Sequence, residues 1–289
     1  MKPSLLLFIL CFPVFLFAQE KTLVTKTFKD TRVINSHSVE TLGKRKLDFR
    51  VSHRFGDIAS EGAGWATLYG LENAADILIG FEYGLSDDLM IGFNRTKGDG
   101  PLRQLLNGFV KYRILKQTEG KGMPITLTMM AGTSMSTMKK TDDPFAINFF
   151  DKFSHRLMYS YHAIFGKKFS DGFSLQITGS YVHRNIVPLN DENNVFAVGM
   201  AMRLQLNKVF GLVLDATYPV SHTNIRNTGN DYYFPLGIGL EMDTGGHVFQ
   251  INFTNSKGIS DTDYIPNTRY NWGDGEFRLG FTISRQFKL

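Results

Sequence analysis

Phe277-Arg278-Leu279-Gly280-Phe281-Thr282-Ile283-Ser284-Arg285-Gln286-Phe287-Lys288-Leu289 is the stretch whose reading decides the fold. Phe277, Leu279, Phe281, Ile283, Phe287 and Leu289 share one parity, and Arg278, Gly280, Thr282, Ser284, Gln286 and Lys288 share the other. Successive side chains of a strand point to opposite faces, so the two sets line an apolar face and a polar one. Arg285 alone breaks the alternation, near an end, where its long stem can carry the guanidinium to polar headgroups. The run exceeds the ~5–6 residues usual for strands of soluble domains.

Working outward, the same alternation recurs. Leu47, Phe49, Val51, His53 and Phe55 alternate with Asp48, Arg50, Ser52 and Arg54; Ile77, Ile79, Phe81, Tyr83 and Leu85 alternate with Asp76, Gly80, Glu82 and Gly84. Equivalent runs lie around 157–165, 173–181, 198–206, 210–218 and 234–242. Weaker ones lie at 89–97, 105–115, 124–136 and 247–255. The expectation is an all-β chain, a single antiparallel transmembrane β-barrel of about 12 strands. Most runs are about 10 residues long, the length a tilted strand needs to cross a bilayer.

The connections sort by parity. One set is short and rich in turn formers: Ser86-Asp87-Asp88, 117–122, 167–172, Asn207-Lys208 and 243–246. The other set is longer and holds most of the prolines: 56–74, 98–104, 137–152, 186–193, 219–231 and 255–273. A sandwich has no reason to sort its loops this way, whereas short periplasmic turns and longer extracellular loops are the habit of outer-membrane barrels.

The address agrees. Met1-Lys2 is a basic start and residues 4–17 (SLLLFILCFPVFLF) form an apolar run, closed by Ala18-Gln19-Glu20. This predicts a cleavable signal over 1–18 and export to the outer membrane. The run is shorter than the ~20 apolar residues of a membrane helix. Cys11, the single cysteine, lies inside it with Leu10 before it, which argues against a lipid anchor and leaves no thiol for disulfides or metal. Mean hydropathy of −0.14 resembles that of a soluble protein. A transmembrane strand shows only one face to lipid, however, and the 13% aromatic content suits lipid-facing girdles. A net charge of +5 comes without a clustered basic motif, so nucleic acid is not an expected partner. Residues 19–46 are polar and are read as a periplasmic tail or a plug that folds into the lumen; 47–289 are the barrel. Trp65 to Asn73 in the first long loop reads as locally helical, a candidate to dip into the mouth.

The inward parity carries charges of both signs: Asp48, Arg50, Arg54, Asp76, Glu82, Lys111, Arg113, Arg156, Arg184, Arg203, Asp215, Glu241 and Arg278. Either they select solutes by charge, or they pair and fill a narrow barrel. The second is favoured, because buried charges need partners and small barrels are filled by side chains. The pairing expected sets Arg50, Arg156, Arg203 and Arg278 against Asp48, Glu82, Asp215 or Glu241. No catalytic, cofactor or metal site is read. His53 and His183 fall at the extracellular rim, where a barrel enzyme would need a serine within reach of the imidazole. Ser52 and Ser180 are the nearest serines but have inward parity, and no nucleophile motif surrounds them. Asp142-Asp143, Asp191-Glu192 and Asp261 with Asp263 follow no calcium-loop spacing and are expected only to keep loops soluble.

The function expected is a narrow pore for solute uptake or a structural barrel, without cofactor. The alternative is a phospholipase- or protease-like barrel enzyme with its site at the extracellular rim. Outer-membrane lipid and small solutes are the partners expected. The C-terminal strand resembles the terminal strand that barrel-insertion machinery reads, with Phe287 near the end and Leu289 where an aromatic is usual. The chain also resembles a domain-of-unknown-function β-barrel family of Bacteroidota-type outer membranes, through residues 47–56 (LDFRVSHRFG), 83–92 (YGLSDDLMIG) and 181–185 (YVHRN). That resemblance implies the barrel and its location, and carries over no activity, ligand or catalytic residue.

Overall fold

The computed structural model describes residues 22–61, 63–220 and 231–289; the signal expected over 1–18 lies outside them. Twelve strands follow one another along the chain: β1 (Lys46–Asp57), β2 (Ala74–Gly84), β3 (Leu89–Thr96), β4 (Leu105–Leu115), β5 (Thr126–Ser136), β6 (Leu157–Lys168), β7 (Phe173–Arg184), β8 (Asn194–Gln205), β9 (Phe210–Pro219), β10 (Leu236–Asp243), β11 (His247–Thr254) and β12 (Arg278–Lys288). Each pairs antiparallel with the next, and β12 returns to β1, closing the barrel. The closing register runs from Lys46↔Lys288 through Val51↔Ile283 to Arg54↔Gly280, and shifts between Arg54 and Asp57. Closure leaves no strand edge with unpaired backbone groups, which a hydrocarbon environment requires.

Alternation sets which face is which. On β2, Ile79 and Phe81 are about half exposed, while Leu78 and Glu82 on either side of them are buried. Outward aromatics meet across neighbouring strands, as in Phe49–Phe81 at 5.1 Å and Tyr161–Tyr181 at 6.2 Å between ring centroids. An apolar belt of this extent in water would exceed the patches that soluble monomers tolerate. Among the described residues no helix is long and apolar enough to cross a membrane, so crossing is left to the strands.

Two stretches of chain fill the lumen. The first enters at the short-turn rim, where Val24 N–H donates to Gln117 O (2.9 Å). It climbs, reverses over 33–36 through Val33 N–H to Ser36 O and Ser38 N–H to Thr31 O (both 2.9 Å), and returns to that rim before β1. Phe28, Val33, Ile34 and Val39 of this hairpin are buried against Ile164, Ala201 and Val213 of the wall. The second stretch descends from the long-loop rim after β11 and carries α1 (Asp261–Asn267). Tyr264 and Ile265 of α1 pack on Val182, Val195 and Ala197.

The segment that fills the mouth is therefore 255–268, not Trp65 to Asn73. The latter holds only a 3-10 turn, Gly64–Thr67, and Trp65 is 78% exposed. Trp65 and Tyr69 have no apolar surface of the lumen left to cover, because α1 already occupies it. Asp261 and Asp263 likewise differ from the expectation that they solvate a loop: both are buried.

Candidate functional site

The site is the filled lumen, and its polar groups are tied mostly from wall to plug. Asp215 on β9 shows why. Its Oδ2 accepts from the backbone N–H groups of Ile34 (3.2 Å), Asn35 (3.0 Å) and Ser36 (2.8 Å) and from Ser36 Oγ (2.8 Å). Consecutive N–H groups at a tight reversal form a concavity that binds anions, so the hairpin tip is built around this one carboxylate. Arg50 on β1 donates to both oxygens of Asp30 in the hairpin (2.7 and 2.5 Å) as well as to Asp48 (3.1 Å), and lies 3.6 Å from Glu82. Lys111 on β4 donates to Thr31 O (3.0 Å), and Arg54 on β1 donates to Asn35 Oδ1 (2.6 Å).

The second plug is held in the same way. Arg54 also donates to Ser256 O (3.0 Å) and to Gly258 O. Asp76 accepts from Ile259 N–H (3.0 Å), and Thr262 Oγ1 donates to Ser134 Oγ (2.7 Å). Asp263 accepts from the N–H groups of Asp99 (2.7 Å) and Gly100 (2.8 Å), which ties α1 to the loop between β3 and β4. Burial, with Asp76 and Asp99 nearby, pushes the Asp263 carboxyl up to about 7 despite those donors.

The remaining inward charges divide. Arg203 on β8 pairs with Glu241 on β10 at 2.7 Å, reaching across the inward face of the intervening β9. Arg278 instead meets Asp57 and lies over the Tyr270 ring at 4.2 Å. Arg156 is only half-buried; it donates to Ser136 O (3.1 Å) and Met138 O (2.7 Å) and stacks over Phe150 at 4.0 Å, beside the long-loop rim. It belongs to no lumen pair because it precedes β6, where strand parity no longer fixes direction. Arg113 binds Asp88 in a short turn (2.8 Å), and Arg184 binds Asp191 (3.1 Å).

The two plugs meet around His37 and His162, histidines that sequence reading did not single out. His37 Nε2 from the hairpin lies 2.8 Å from Arg32 Nη2 and 3.4 Å from Asp261 Oδ2 of α1. His162 of β6 completes the group, with Nδ1 2.9 Å from Ser180 Oγ and Nε2 4.0 Å from Asp261 Oδ1. Serine, imidazole and carboxylate are thus in line, but mid-barrel and buried. The cavity beside Asp261 has about 10 Å³, room for at most a water molecule and not for a substrate. At the rim, His53 stacks on Phe281 (5.8 Å) and His183 Nδ1 lies 2.7 Å from Asn194 Oδ1, neither against a serine. Among the described residues no group of three or more His, Cys, Asp or Glu is placed to hold a metal ion.

One sequence feature that was not read as such could have pointed to the hairpin. Gly166 and Gly237 fall on the inward parity, and a Cβ there would lie 2.5 Å from Val39 and 2.8 Å from Ile34. Glycine at these wall positions makes room for the hairpin.

A closed antiparallel barrel with an apolar outer belt and a polar, filled interior is a membrane barrel. The chain belongs to the membrane bound beta barrel domain family (DUF5777), whose model matches residues 28–287. No curated protein matches it. Among solved structures it is similar to an outer membrane channel from Pseudomonas putida F1 (13% identity, TM-score 0.50, covering 88% of this chain and all of that one). It is also similar to the NanC porin (13% identity, TM-score 0.49, covering 84% of this chain and all of that one). At such identities the likeness is one of fold. Family and fold together place the protein in an outer membrane.

Proposed function

We propose that the protein is a plugged channel for small solutes, with the short turns in the periplasm, and that it conducts when the hairpin over 24–42 moves out of the lumen. One observation carries this reading: the hairpin is fastened by hydrogen bonds from its backbone and small polar side chains to wall groups such as Asp215 and Gln176, with Asp30 accepting from Arg50 as a charged exception. Water can replace such bonds at modest net cost, about 0.5–1.5 kcal/mol each, and more where a charge is involved. A structural barrel without transport has no need of a removable filling. The fold of an outer membrane channel supports the same reading.

Catalysis at the rim is disfavoured on this reading, since neither His53 nor His183 has a nucleophile in reach. The test is planar-bilayer conductance of the full chain, of Asp215→Ala, and of a variant lacking 22–42, each first checked for heat-modifiable mobility. The wild type should be nearly silent and both variants should conduct. A folded deletion variant as silent as the wild type would overturn the proposal.

A further inference from the structure

A cavity of about 520 Å³ opens where the hairpin meets the wall at the short-turn rim. Its size lies within the ~300–1,000 Å³ usual for small-molecule sites. Five cations line it, Lys26 and Lys29 from the hairpin and Lys168, Arg203 and Lys208 from the wall and turns, against one carboxylate, Asp171. Three of the five are already paired: Lys29 with Asp243 (3.3 Å), Lys168 with Asp171 (2.6 Å) and Arg203 with Glu241 (2.7 Å). Lys26 donates only to Lys29 O (3.1 Å), and Lys208 has no carboxylate partner among the described residues.

Arg203 adds a second, independent observation. It is 95% buried, yet its Nη2 has no hydrogen-bond partner among the described residues. A Cβ at Gly211 would lie 2.6 Å from that nitrogen, so glycine on the neighbouring strand keeps the space the guanidinium occupies. That nitrogen is sealed from solvent, so Arg203 contributes its positive charge to the cavity lining, and a positively charged lining suits carboxylate and phosphate groups.

We propose that this cavity binds a small soluble anion bearing a carboxylate or phosphate group. Arg203 and Ser174 reach it from the inward face of the wall, away from lipid, which favours a soluble anion over a lipid headgroup of the same chemistry. Because Lys26 and Lys29 come from the hairpin and Lys168 and Arg203 from the barrel, the anion bridges the two. A ligand that binds only the assembled site stabilises that assembly by mass action, so the anion holds the hairpin seated. That consequence rests on the plugged-channel reading; the binding does not.

The test uses the full-length barrel in zwitterionic detergent free of lipid, titrated calorimetrically with inorganic phosphate at constant ionic strength, with melting temperature as the second readout. Saturable binding and a raised melting temperature are expected. Lys26→Gln and Lys208→Gln should each weaken binding tenfold or more, the scale of one lost charge-assisted hydrogen bond. Lys139→Gln, on the far rim, should not. Absence of saturable binding, or equal weakening by all three variants, would overturn the site. Loss of phosphate binding in phosphatidylglycerol vesicles but not in phosphatidylcholine would show a lipid headgroup as the occupant and overturn the soluble anion. Conductance is not read, so a failure here is distinct from a failure of the channel reading.

Discussion

His37 Nε2, carried in by the hairpin from the short-turn rim, lies 3.4 Å from Asp261 Oδ2, carried down by α1 from the long-loop rim. The two plugs touch at this point inside the barrel. Arg32 Nη2 sits 2.8 Å from the same imidazole nitrogen. A guanidinium can only donate, so Nε2 accepts from it and the ring is neutral. Among the described residues no lysine or arginine lies within 4 Å of Asp261; Arg32, which lines the same small cavity, offsets its charge at longer range, through the imidazole.

It follows that Arg32→Met strands a buried carboxylate. Equilibrium unfolding should show a loss of about 1–3 kcal/mol, the cost of a buried polar group left uncompensated. Asp261→Asn in the same chain should recover most of it. Losses that simply add in the double variant would mean Arg32 and Asp261 are not coupled.

Gly237→Leu puts a side chain where Ile34 lies, since even a Cβ would sit 2.8 Å from it. The wall is fixed by its strand pairing and the hairpin is not, so the hairpin should give way. Hydrogen exchange over 30–39 should accelerate while heat-modifiability persists. Unchanged exchange would show that the hairpin tip can repack around the leucine.

Docking of α1 should depend on pH through Asp263. Its folded-state value of about 7 lies above the ordinary 3.8, so the docked state binds the proton more tightly. Docking is then strongest at low pH and weakens as pH rises from about 4 through 7. Proteolysis of the 255–275 loop should be slower at pH 5 than at pH 8, and Asp263→Asn should flatten that difference. Equal cleavage of the wild type at both values would contradict the assignment.

Outward and inward substitutions separate lipid contact from plug contact. Ile79→Arg, on the lipid face, should cost about 2–4 kcal/mol near mid-bilayer. Gln176→Arg should also be costly, because Gln176 accepts from Val39 N–H (3.1 Å) and donates to His37 O (2.8 Å). In a chain lacking 22–42, Gln176→Arg should become mild while Ile79→Arg does not. An unchanged cost for Gln176→Arg would place its effect in the wall.

Sequence alone determined the barrel, because a strand's two-residue period writes the lipid face and the lumen face directly into the chain. The run from Phe277 to Leu289 and the sorting of short turns from long loops could be read without coordinates, and the observed strands follow them, with β10 beginning at Leu236 rather than Phe234. The inward charges were legible for the same reason, but their partners were not. Asp215 ended on the backbone of Ile34, Asn35 and Ser36, and Arg50 on Asp30. Parity says which way a side chain points but not what stands opposite. Only the tertiary structure decided what entered the lumen, because the hairpin over 24–42 and the loop with α1 have no period to betray them. They are held by irregular hydrogen bonds between residues as distant in sequence as Ser36 and Asp215. The cavity between Lys26 and Arg203 exists only once the hairpin is seated against the wall, and so belongs to the structure alone.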